Sequence, residues 1–139
     1  MELVHIGAGI QQQFDKRCIS KSCSVAQGPG LHFATGGQDD SQHLDRGKPL
    51  WETSGEDVGN LWQVDALGMW QTAAVSVPLM LAGPDPSGCR FVGVASVAGS
   101  RGLFHLGAYT MVKHAVVGLV RGLAADLTGT GVVAVAVAP

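Results

Sequence analysis

Charge is scarce in this chain: 14% of its 139 residues are charged, and nine Lys and Arg against eleven Asp and Glu leave a net charge of −2. A field that weak does not draw a polyanion, so DNA and RNA are not expected partners. Missing too is an uninterrupted apolar run of the roughly eighteen residues that a membrane-spanning helix needs. The opening residues MELVHIGAGIQQQFDK show neither a basic leader nor a small-residue cleavage site, and the expectation is a cytoplasmic protein without a membrane partner. Cys18, Cys23 and Cys89 cannot all pair within one chain, and they match neither a CxxC redox pair nor a zinc spacing. Disulfides are rare in the cytosol, so a structural or incidental role is expected of the three cysteines. His5, His32, His43, His105 and His114 lack the i, i+4 spacing of a helical metal site, and no metal is expected.

Apolar residues are plentiful, at 46% of the chain, which is far from the composition of a disordered segment. The length suits one domain with its own core. The chain changes character near Trp51. Residues 11–50 are rich in Gln, Gly, Ser and Asp with little sustained period, as expected of loops, and before Trp51 only ELVHIG reads as a strand. From Trp51 the stretch WETSGEDVGNLWQVDALGMWQTAAVSVPLMLAG reads as a long, mostly buried helix. Thr53 or Ser54 serves as its N-cap, and Leu61, Val64, Ala66, Leu67, Met69, Trp70, Ala73, Ala74 and Val77 give broad apolar coverage. Pro78 should bend or shorten its last turn, and AGPDPSG then breaks into a loop.

RFVGVAS, from Arg90, and VVAVAVAP, ending at Pro139, are apolar runs that do not alternate, as in parallel strands covered on both faces. Between them lies AYTMVKHAVVGLVRGLAADL, a helical pattern, so residues 90–139 read as one right-handed βαβ unit in an α/β fold. This second helix carries more apolar surface than one sheet face requires. Gly118 and Gly122, four residues apart, suggest close helix approach despite the helix-propensity cost of glycine. A homo-oligomer through the helices 57–82 and 108–128 is the expectation.

Tyr109 and Lys113 stand at i and i+4, on one helix face. A free phenol ionises near pH 10, and an adjacent ammonium stabilises the phenolate. Ser96 ends the first of the two strands at its carboxyl edge, where open α/β sheets bind ligands. Ser96, Tyr109 and Lys113 together suit proton transfer to or from an alcohol or carbonyl oxygen.

The segment VASVAGSRGLFHLGAYTMVKHAVVGLVRGLAADLTGTGVVAVAVAP closely resembles the catalytic part of the short-chain dehydrogenase/reductase family: the strand with the serine, the YxxxK pair, the following helix and a final strand ending in AP. PLWETSGEDVGNLWQVDALGMWQTAAVSVPLML resembles the family's long interface helix and the loop before it. The wording looks most like an actinobacterial subgroup associated with the redox cofactor mycofactocin. The resemblance implies a partial doubly wound, Rossmann-like parallel sheet flanked by helices, incomplete at both ends. Residues 51–139 would be the catalytic part and residues 1–50 a degenerate or poorly ordered N-terminal segment. It also implies hydride transfer between a small-molecule alcohol and a ketone with NAD or NADP. Tyr109 would be the acid/base, Ser96 would orient the substrate, and Lys113 would assist the tyrosine and bind the nicotinamide ribose. Pro139 would lie beside the cofactor.

The chain departs from that pattern at three places. Asp65 stands where the family usually has an asparagine that helps a water relay protons from the lysine; it either keeps such a contact with a negative charge or is a solvated or capped helix acid. On the phosphate side the candidates are Gly7 and Gly9 in LVHIGAGIQQQ, with Gln12 where a third glycine belongs and TGxxxGxG absent. A βαβ unit takes about 30 residues, so residues 1–50 are short for the missing half of a doubly wound domain. Two functions stay open: an NAD(P)-dependent oxidoreductase, or a non-catalytic remnant of one that at most associates through its helices.

Overall fold

The computed structural model describes residues 24–28, 31–35 and 48–139. The βαβ unit expected over residues 90–139 is present. Strand β3 (Arg90–Val94) pairs in parallel with β4 (Val133–Val137), in register from Arg90↔Val133 to Val94↔Val137. Helix α3 (Gly107–Asp126) connects them. One further bond, from the Ala95 amide to the Val137 carbonyl at 2.7 Å, carries the ladder to the residue before Ser96.

The other side of β3 differs from the sequence reading. Strands β1 (Ser24–Gly28) and β2 (Leu31–Thr35) form an antiparallel hairpin inside a stretch read as loop, and β1 pairs antiparallel with β3. The sheet order is β2-β1-β3-β4, parallel only between β3 and β4. Each hairpin strand has five residues, SVAQG and LHFAT, and the Gly and Pro between them dominate the local composition. A period-2 signal has little length in which to register there. ELVHIG, with Gly7 and Gly9, lies outside the described residues, as do Cys18 and Cys23. Cys89 is a buried free thiol.

The first long helix is continuous over Gly55–Ala82 in three parts: α1 (Gly55–Leu61), a π-helical segment (Trp62–Leu67) and α2 (Gly68–Ala82). Of the two proposed caps, Ser54 is the one used: its Oγ accepts from the Asp57 amide at 3.0 Å and donates to Asp57 Oδ2 at 2.6 Å. Pro78 sits inside α2, which runs on to Ala82. By length and composition this helix could cross a membrane, yet in this fold it is a core element. Met69, Ala73, Val77 and Met80 are buried with Phe91, Val116 and Val120. Its burial is one-sided, because Trp62, Trp70, Leu79 and Leu81 are exposed and Ala74 faces outward, where the sequence suggested a mostly buried helix.

Both long helices cover the same sheet face. A Cβ on Gly93 would lie 2.6 Å from Val120 Cγ2 of α3 and 3.5 Å from Met69 Sδ of α2, so glycine lets both helices seat against β3. The opposite face of β4 presents Val133, Val135 and Val137, each at least 40% exposed, so the strand is covered on one face by the described residues rather than on both. Before β3, Asp85 caps the short turn Pro86–Gly88. The Ser87 hydroxyl, and after it the Gly88 amide, hold its carboxyl below the usual range.

Candidate active site

Ser96 follows β3 at the carboxyl edge of the parallel pair. Its backbone is extended, at φ −166° and ψ 165°, and its Oγ accepts from the Ala98 amide at 3.3 Å to start the 3₁₀ turn Val97–Gly99. That turn is seated on α3 by a glycine. A Cβ on Gly99 would lie 2.9 Å from the Lys113 carbonyl oxygen and 2.8 Å from Val117 Cγ2. The serine-bearing turn and the lysine-bearing helix therefore meet at backbone distance. Because β3 and β4 run parallel, Pro139, just past β4, stands exposed at the same sheet edge as Ser96.

Helix α3 starts without a side-chain cap, just after His105, whose φ of 54° turns the chain into it. Leu50, in the turn Leu50–Glu52, closes over this start: a Cβ on Gly107 would come within 2.8 Å of Leu50 Cβ. Tyr109 is half-buried and packs on the small cluster Leu61, Ala66, Ala108 and Val112. One turn later Lys113 is only 7% exposed, and its Nζ lies 5.3 Å from the Tyr109 ring centroid. The i, i+4 pair thus converges, and its cation is inside the protein.

The partner of that cation is Asp65. Lys113 Nζ donates to Asp65 Oδ1 at 2.9 Å, and the carboxylate is 6% exposed with Oδ2 buried and unpartnered. A solvated helix acid, one of the two readings above, does not describe it. It lies within the π-helical segment, in which the Gly68 amide reaches back to the Gln63 carbonyl. Leu61, Asp65 and Met69 form one buried line at spacings of four.

The structure brings Lys113 together with Tyr109 and with Asp65, and sets Ser96 on the turn that packs against the Lys113 backbone. Gly7 and Gly9 lie outside the described residues. Three contributors were not singled out from sequence: Leu50 over the helix start, Gly99 at the turn, and the π-helical segment. Gly99 alone left a trace, as a glycine between the serine strand and the tyrosine helix. Among the described residues no group of three His, Cys, Asp or Glu is placed to hold a metal. A phenol, a buried ammonium, a carboxylate and a hydroxyl at one sheet edge form a set able to move a proton at a substrate oxygen.

A family model described as enoyl-(acyl carrier protein) reductase matches residues 39–139. The (−)-trans-carveol dehydrogenase of Rhodococcus erythropolis is 40% identical over 72 residues, covering 49% of this chain and 25% of that one. Acetoin dehydrogenase from Enterobacter cloacae superposes with a TM-score of 0.59 at 29% identity, over 66% of this chain and 35% of that one. ElxO with NADP bound superposes with a TM-score of 0.60 at 29% identity, over 65% and 35%. The chain thus spans 25% to 35% of the length of these relatives.

Proposed function

Since the chain belongs to the short-chain dehydrogenase/reductase family of Rossmann-fold oxidoreductases, we propose that residues 51–139 are the catalytic part of an NAD(P)-dependent enzyme that moves hydride between a small-molecule alcohol and a ketone. The observation that carries this reading is the buried Lys113 ammonium beside Tyr109, at the start of the helix that packs on the turn of Ser96. In it, Ser96 Oγ holds the substrate oxygen and the Tyr109 hydroxyl exchanges a proton with that oxygen. When bound, the nicotinamide supplies or accepts the hydride.

The residues fit the nicotinamide end of such a cofactor. An ammonium has three donors, and Asp65 Oδ1 takes one of those on Lys113, leaving donors for ribose hydroxyls. Pro139 stands at the same edge, and Gly7 and Gly9 are the proposed phosphate-side contacts. The same reading sets the protein in the cytoplasm without a nucleic-acid or membrane partner, and as a homo-oligomer through the helices 57–82 and 108–128.

One observation favours a second reading, a non-catalytic association module. The neighbour of β3 on its other side is an antiparallel hairpin, whereas a dinucleotide crevice is built from parallel strands and helix N-termini. Turnover of a panel of secondary alcohols and ketones with each nicotinamide cofactor separates the two. The oxidoreductase reading expects turnover that falls by about 10² to 10⁴ in Tyr109→Phe while far-ultraviolet dichroism is unchanged. Turnover that survives in Tyr109→Phe would contradict the role given to the phenol.

A further inference from the structure

We infer that the free edge of β4 is a docking surface for the same strand of a second copy, which pairs with it antiparallel about a two-fold axis at Val135. This surface is separate from the helix-mediated association above and does not depend on the oxidoreductase reading.

Strand β4 ends the sheet among the described residues, with β3 on one side and no described strand on the other. The Val133 amide donates to the Cys89 carbonyl at 3.3 Å, and the Val137 carbonyl accepts from the Ala95 amide at 2.7 Å, so these residues turn their backbone groups toward β3. Alternate residues of an extended strand point opposite ways, which leaves the N–H and C=O of Ala134 and Ala136 on the open side. Such an edge templates a further strand unless charge, proline or a bulge blocks it. Nothing of that kind is present: residues 128–138 hold no charged side chain and no proline, and the β3–β4 register runs unbroken.

The occupant is indicated by the strand itself, which reads VAVAV in both directions. Laid antiparallel on itself with Val135 opposite Val135, it sets every valine against a valine and every alanine against an alanine. Ala134 then exchanges both backbone bonds with Ala136 of the second copy. On the face away from the helices, the exposed Val133, Val135 and Val137 join their counterparts in one row of β-branched cross-strand contacts. The pairing brings no like side-chain charges together, and it is self-complementary as a two-fold interface must be. A five-residue edge is small against the roughly 800 Å² per partner of a standard interface, so the contact is reversible and weaker than a helix-face dimer.

Disulfide trapping reads the register directly. In a chain carrying Cys18→Ser and Cys23→Ser, with Cys89 left buried, single cysteines replace the exposed valines under mild oxidation. Residues that meet at the axis lie about 4.5 Å apart between Cα atoms, within disulfide reach. Val135→Cys is expected to form a covalent dimer by itself. Val133→Cys is expected to form one only when mixed with Val137→Cys, because those positions face each other across the joint. A folded Val135→Cys that stays uncrosslinked overturns the proposal, as does Val133→Cys that cross-links as readily alone as in the mixture. If Val135→Cys does not fold, the mixture decides by the same comparison. In submillimolar sedimentation, Val135→Lys mixed with Val135→Glu should associate more than either alone, and equal association in all three would equally overturn the pairing. Gly122→Leu, on the helix face, should leave the cross-links unchanged, and a failure of cofactor binding would strike the oxidoreductase reading alone.

Discussion

Lys113 is 7% exposed, and Asp65 at 2.9 Å is its ion-pair partner among the described residues. Desolvating both groups makes such a pair a weak net stabiliser, but removing one partner leaves the other buried and uncompensated, at a cost of about 3–5 kcal/mol. Asp65→Ala should therefore lower folding stability by about that amount in urea titration. A loss no larger than that of an average surface substitution would mean that Lys113 finds water when its partner is gone. Tyr109 and Lys113 were legible in the sequence because i, i+4 is a local relation that any helix satisfies. Their link to Asp65 was one of two readings left open, because it spans 48 residues and no local pattern decides it. Nothing in WQVDAL announces an i→i+5 bond, so Asp65 could be read equally well as solvated.

The βαβ unit was readable as an element because its signals agree: two apolar runs rich in valine, and a helical pattern closed by glycine, with Gly129 and Gly131 both at positive φ. The hairpin was not, since five-residue strands on either side of a Pro-Gly pair look like loop by composition. The contact between the serine turn and α3 depends on Gly99, where an added methyl meets backbone as well as a side chain. Gly99→Ala should cost about 1–3 kcal/mol by overpacking, seen as an earlier denaturation midpoint, and should displace Ser96 from α3. An unchanged midpoint would show that the turn yields freely. Gly118 and Gly122 behave differently: a Cβ on either meets nothing within 4 Å, so the close helix approach they suggested is not made to any described part of the chain.

That open surface sets the expectation for the whole molecule. Between α2 and α3 runs a groove of about 400 Å³, with Trp70, Ala74 and Pro78 on one side and Leu119, Gly122 and Leu123 on the other. An apolar groove beside a tryptophan that is 57% exposed suits a helix pair from a second copy. Sedimentation at micromolar concentration should show a dimer or larger, and Gly122→Leu should shift it toward monomer; a monomer throughout would remove the oligomer from the account. NADH binding decides whether this chain works with a nicotinamide cofactor although it spans 25% to 35% of its relatives' length. Energy transfer from Trp51, Trp62 and Trp70 to bound NADH gives the signal. A working cofactor site gives saturable transfer at micromolar NADH; no transfer from a sample shown to be folded would rule that site out and leave Tyr109 and Lys113 with no hydride to accompany.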